Sequence, residues 1–268
     1  RSAWSSPSWT RSDLVERFLD RYIPFAELLI ANGIRPVFPP LTPGGDYWDT
    51  SFLRFSLQGL ERRAGHNLLE NLVIGAYARA GEHPLTWGQG GPERWPAAKP
   101  YHTPEGCQDQ RGFCIFEWYQ SISEATSGKR CPMILFGLES RSSASAKKPA
   151  REDFDVQRTL AMAEALILPG SATSKAATTP APREGLNPLP DEIIAGNFWL
   201  LSAEADSPYV RSGWFSPTGE SGKRAIALRN LMLRLPDLYH PKTQYPDLAT
   251  GHASMLKHYF LLPSLNWG

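Results

Sequence analysis

Apolar residues recur at steps of three and four from Ser12 to Asn32. Leu14, Phe18, Tyr22, Phe25 and Leu29 fall on one face of a predicted helix. Thr10 and Asp13 mark its start and Gly33 its stop. Pro24 lies inside, which predicts a kink or split near Tyr22. The pattern then shortens. "IRPVFPPL" reads as a Pro-limited strand running into the loop "TPGGDYWD". A helix follows from about Thr50 to Ala64, with Phe52, Leu53, Leu57 and Leu60 inward. "NLVIGAYA", Asn71 to Ala78, is apolar throughout, as in a parallel strand buried on both faces.

The second half repeats the alternation. A Trp/Gly/Pro-rich loop covers roughly Gly81 to Gln108, and loops of that length are usually functional or disordered. Trp87, Trp95 and Tyr101 argue for order. A helix from about Gln110 to Thr126 carries Ile115, Tyr119 and Ile122 on one stripe and stops at Gly128. "PMILFGL" is the third strand. The next helix, about Phe154 to Ile167, places Val156, Leu160, Ala163 and Ile167 on one face. "PGSATSKAATTPAPREGLNPLP" reads as a mobile linker. "EIIAGNFWLLSA", Glu192 to Ala203, is the fourth strand. "SGWFSPTGES" leads by a turn into a helix from about Lys223 to Leu233. Residues 236–268 show no clear period and read as an extension or the start of a further module, beyond a main segment of 1–235.

Helix and strand alternate, which implies a parallel sheet with right-handed crossovers. Neither GxGxxG nor GxxxxGK[ST] follows any strand, so the usual phosphate loops are absent. Apolar strands followed by elaborate loops favour a (β/α)8 TIM-barrel-like α/β fold over an open nucleotide-binding sheet. In a barrel the chemistry lies on the loops after the strands. Those are Pro40 to Trp48, Tyr77 to Trp95, Glu139 to Ser143, and Trp199 to Trp214.

Composition narrows the function classes. The 268 residues carry a formal net charge of +1, so nothing electrostatic points to nucleic acid or an anionic membrane. No apolar run approaches the ~18 residues of a membrane span. The chain does not begin with Met and reads as a fragment or processed form. Cys107, Cys114 and Cys131 allow one disulfide and a free thiol, or three thiols, but no disulfide framework. The six His residues have no zinc spacing, and HExxH and GxSxG are absent. No cofactor is expected. Nine Trp and 24 Pro suggest shaped loops and stacking surfaces, or a Trp-rich core.

The order of these motifs resembles the C-terminal half, strands five to eight, of a clan-A-type glycoside hydrolase. "PPLTPGGDYWDTSFL", "IGAYARAGEHPL", "PMILFGLES", "GNFWLL" and "GWFSPTGE" occupy the matching places. The resemblance implies a partial barrel lacking its N-terminal strands, acting on or binding a polysaccharide or cell-wall glycan. It also implies an extracellular or cell-surface setting and further domains of a longer chain. Two departures bear on catalysis. The general acid/base of strand four would lie upstream of Arg1, so hydrolysis requires that missing part. The nucleophile's usual place, about five residues after the strand's Pro, is Gly137, and the acid appears at Glu139 instead. A step of two residues keeps the same strand face, about 6–7 Å further along.

On this resemblance Glu139 is the candidate nucleophile or base, one half of the carboxyl pair that glycoside hydrolysis needs. The plainer reading is a strand-end charge paired with Arg141. Glu82 is a second candidate acid or hydroxyl binder, or a solvated loop charge. Tyr77 would orient a carboxylate, or simply pack. Trp199 would floor the sugar site, or belong to the core. Trp48, Trp87 and Trp95 would line a glycan cleft, or pack their own loops. Asp46 would bind a hydroxyl, although a helix N-cap role for Asp46 or Asp49 is the plainer reading. The alternative function is a non-catalytic glycan-binding or scaffold barrel that has lost its carboxylate pair.

Overall fold

A computed structural model of the chain describes residues 13–45, 47–139, 149–167, 186–207, 210, 213–215, 218 and 221–234. The linker at 168–185 and the tail at 236–268 lie outside the described residues. Seven helices and four strands alternate among those described. The strands form one parallel sheet in the order β1-β2-β3-β4. By contacts the chain divides into two compact units. One comprises 1–78 and 87–135, the other 79–86 and 136–268.

In the first unit, α1 spans Leu14–Ala31 without interruption through Pro24. An interior proline costs a helix about 3 kcal/mol. Burying Leu19 and Ile23 on this helix offsets that, at roughly 1.5–3 kcal/mol each. Pro24 sits on the exposed side, where water can satisfy the carbonyl it leaves without a donor. The buried stripe is Leu19, Tyr22, Ile23 and Ala26. Phe25, expected inward, is 55% exposed, because the core-facing stripe is rotated by about one residue, or roughly 100°.

β1 (Val37–Leu41) pairs in parallel with β2 (Val73–Tyr77). The register runs Phe38↔Ile74 and then Leu41↔Ala76, so β1 carries one extra residue there. Pro39 and Pro40 occupy that irregularity at the end of the described sheet. A bulge on an edge strand is one of the few sheet positions that tolerate a missing N–H.

Helix α2 (Asp49–Ala64) buries Leu53, Leu57 and Leu60. The short α3 (His66–Asn71) links it to β2. Helix α5 (Ile115–Ser127) starts five residues later than the periodicity suggested and packs on α2. Phe18, Tyr22, Phe38, Phe52 and Tyr47 form an aromatic cluster with ring centroids 5.2–6.4 Å apart.

In the second unit, α6 (Pro149–Ile167) and α7 (Lys223–Arg234) pack together. Val156, Leu160, Ala163 and Ile167 meet Ala225, Leu228, Leu231 and Trp214. The predicted stripe of α6 is therefore its buried face. β4 (Ile193–Phe198) ends before the apolar run does. A Phe215↔Ser221 bridge closes the hairpin expected ahead of α7. β3 (Met133–Leu138) contributes residues to both units.

Candidate functional site

The long loop after β2 is ordered by its own polar bonds. A four-residue helix, α4 (Gly91–Arg94), lies within it. The Trp118 indole donates to the Gly88 carbonyl at 2.9 Å, and the Gly90 N–H donates to the Glu117 carboxylate at 2.7 Å. Burial nonetheless pushes the Glu117 carboxyl above the usual range, against the opposing pull of Gly90, Arg130 and Arg94. Further on, Lys99 and His102 exchange both backbone bonds, at 2.8 and 3.1 Å. This tight turn carries Pro100 and Tyr101 at its tip.

Asp109 anchors the end of the loop. Its Oδ1 accepts from the Trp87 indole at 3.1 Å and from the Arg111 backbone N–H at 2.9 Å. Its Oδ2 accepts from the Thr103 hydroxyl at 2.6 Å and from Arg111 Nε at 2.8 Å. The side chain is only 2% exposed. Burial alone would raise its carboxyl. The bonds from Arg111, Thr103 and Trp87 outweigh burial and hold it at about 2, because they favour the charged form.

Behind it lies a second acid. Asp49 is the first residue of α2 and is 1% exposed. It accepts from the Gly44 N–H at 3.1 Å, Gln110 Nε2 at 3.0 Å and the Tyr119 hydroxyl at 2.9 Å. It is not an N-cap: that place belongs to Trp48, which caps with no side chain. The Asp49 carboxylate instead ties the 42–48 loop and α5 to the start of α2. Burial pushes its carboxyl upward in spite of these donors. Burial does the same to the Tyr119 hydroxyl, assisted by the Asp49 charge.

These residues enclose a cavity of about 180 Å³. Its lining comes from three segments: Gly44, Gly45 and Trp48; Lys99 to Thr103; and Asp109, Gln110 and Arg111. The Trp48 and Tyr101 rings, both in the lining, meet at 4.8 Å, tilted by 40°. They are 39% and 67% exposed. At that exposure neither ring belongs to the buried core.

Of the residues expected from sequence, Trp48 is in this site and Trp87 supports it through Asp109. Trp95 is half-buried in its loop. Its indole donates to the Gln89 carbonyl at 3.0 Å, and the Arg94 guanidinium lies 5.2 Å from its ring centre. Tyr77 is the half-buried last residue of β2. Asp46 lies outside the described residues.

The remaining candidates belong to the second unit. Glu139 follows β3, is 21% exposed, and lies 3.9 Å from Arg79. Arg141, its expected partner, is outside the described residues. The Trp199 N–H donates to the Leu138 carbonyl at 3.3 Å, which brings Trp199 beside the segment carrying Glu139. Glu82 is exposed, in a turn whose Gly81 and His83 carbonyls accept from Arg158. The equal-face argument for Glu139 assumed extended backbone through position 137. Gly137 has φ +64°, a left-handed conformation that interrupts the pleat the argument required. An acid at position 137 would be strained in this backbone.

No protein-family model matches the chain, and neither does any curated protein or solved structure. Function therefore rests on the site itself. Sequence reasoning missed Tyr101 as a site residue, and also Lys99, His102, Thr103, Asp109, Gln110 and Arg111. The available signal was the polar run "QDQR" closing a Trp-rich loop too long to be a mere connection. Among the described residues no helix is long and apolar enough to cross a membrane, and no cluster of His, Cys, Asp and Glu could hold a metal. The three cysteines are free thiols.

Proposed function

We propose that the chain is a glycan-binding module of glycoside-hydrolase-like architecture, with its binding site at the Trp48–Tyr101 cavity. The aromatic pair carries the reading. A pyranose presents apolar C–H groups on its face and hydroxyls at its edge. Exposed rings above a polar cavity complement both. At about 180 Å³ the cavity is smaller than the ~300–1,000 Å³ typical of drug-sized ligands. It suits one sugar unit, with neighbouring units resting on the rim. The sequential strand order supports a segment of a (β/α)8 barrel, since open doubly wound sheets reverse order at a switch point. The acid of the cavity supports binding over hydrolysis. Asp109 is the one acid among the described lining residues, and both its oxygens accept from protein donors, so it is not poised for proton transfer.

Retention on immobilised polysaccharides tests the reading. Trp48→Ala and Tyr101→Ala should each weaken retention about tenfold or more, as loss of a buried aromatic contact does in recognition sites, with little change in melting temperature. Wild-type protein that no glycan retains, or variants that bind as well as wild type, would reject it.

Hydrolysis through Glu139 is a second reading, favoured by the bond that brings Trp199 beside the Leu138–Glu139 segment. Glu139→Gln in the full-length protein should then abolish reducing-sugar release from glycans and spare binding. Unchanged turnover would remove Glu139 from the chemistry.

A further inference from the structure

We propose that the ligand of the Trp48–Tyr101 cavity is an anionic glycan, one bearing carboxylate or sulfate groups; this deepens the glycan reading and rests on it. The charged lining is Lys99, Arg111 and Asp109, with His102 as a further polar group. The one acid among the described lining residues is turned inward. Asp109 is 2% exposed, and its oxygens take bonds from Trp87, Thr103, and the backbone and side chain of Arg111. Asp49 behind it is likewise buried and filled by Gly44, Gln110 and Tyr119.

The cations are arranged differently. The Lys99 ammonium donates to the Pro96 carbonyl at 3.3 Å, on the exposed side, and forms no ion pair among the described residues. Arg111 commits Nε and one terminal nitrogen to Asp109, yet its side chain remains 54% exposed. Among the described lining residues a ligand therefore meets ammonium and guanidinium donors, and no open carboxylate. Neutral sugars need acceptors as well as donors at their hydroxyls. A site offering mainly cationic donors is better matched to carboxylate or sulfate oxygens. The Lys99–His102 turn holds Lys99 next to Tyr101, so ring stacking and charge recognition act on the same sugar unit or its neighbour.

The test uses matched pairs. Uronate polymers are compared with their methyl esters, and sulfated polymers with desulfated counterparts, by titration calorimetry against the wild-type chain. At least one charged member should bind about tenfold tighter than its neutral partner, the scale of one charge-assisted contact. The preference should shrink as ionic strength rises from about 0.05 to about 0.5 M. Lys99→Gln should remove most of it at unchanged melting temperature. Equal or weaker binding of the charged member in every pair overturns the charge inference and leaves the glycan reading standing. A preference insensitive to both salt and Lys99→Gln also overturns it. Absence of binding to every glycan, charged or neutral, overturns both readings.

Discussion

Asp49 and Asp109 are the same residue type, one behind the other, and their surroundings drive them apart. Asp109 is ionised by a guanidinium, a hydroxyl and an indole. Asp49 has neutral donors only, and burial wins. The consequence for stability has opposite signs. A lowered carboxyl stabilises the fold above its unfolded value, about 4, and that contribution is lost as pH falls toward about 2. A raised carboxyl stabilises at low pH and loses its contribution as pH rises through the folded value. Melting temperatures of wild type and Asp109→Asn, followed from about pH 5 down to about pH 2, should therefore converge. A gap that stays constant across that range would mean Asp109 makes no pH-linked contribution. Residue type alone did not reveal this difference: Asp109 meets Arg111 two residues on, whereas Gln110 and Tyr119 reach Asp49 only through the fold.

Within elements, the junction of β1 and β2 shows how local chemistry and packing interlock. Two prolines bend β1, and the bend brings its backbone against β2 at Gly75. A Cβ there would lie 2.9 Å from the Phe38 carbonyl oxygen and 3.0 Å from Pro40 Cδ. Backbone cannot swing aside as a side-chain tip can. Gly75→Val should therefore destabilise the protein by about 1–3 kcal/mol, the usual cost of overpacking, seen as a lower urea midpoint. A midpoint equal to wild type would show that the bulge relaxes freely. Helix and strand positions were largely legible beforehand: α2, β2, β3 and α7 lie within a few residues of their periodic patterns, and α6 ends where its pattern does but begins five residues earlier. The errors share one cause. Pro24 was overestimated and the α1 face was misjudged because local rules do not include the tertiary burial that holds α1 together. The start of α5 was placed early because Gln110 and Arg111 belong to the loop network around Asp109 and Asp49.

At the scale of the whole molecule, the alternation of periods determined an α/β chain with a parallel sheet. Side-chain period reflects burial on one face or two, and that information is local. The composition also left few electrostatic grounds for nucleic acid as a partner. What only the tertiary structure decided is which loop residues meet. Gln110 and Tyr119 reach Asp49 across 61 and 70 residues of sequence, and Tyr101 reaches Trp48 through the same folding of loop onto helix. No spacing rule encodes such encounters, since they depend on how the 87–111 loop closes over the start of α2. The same holds for Gly137. Its residue type was plain, but its left-handed backbone, which separates Glu139 from the strand's regular pleat, is imposed by the folded chain around it.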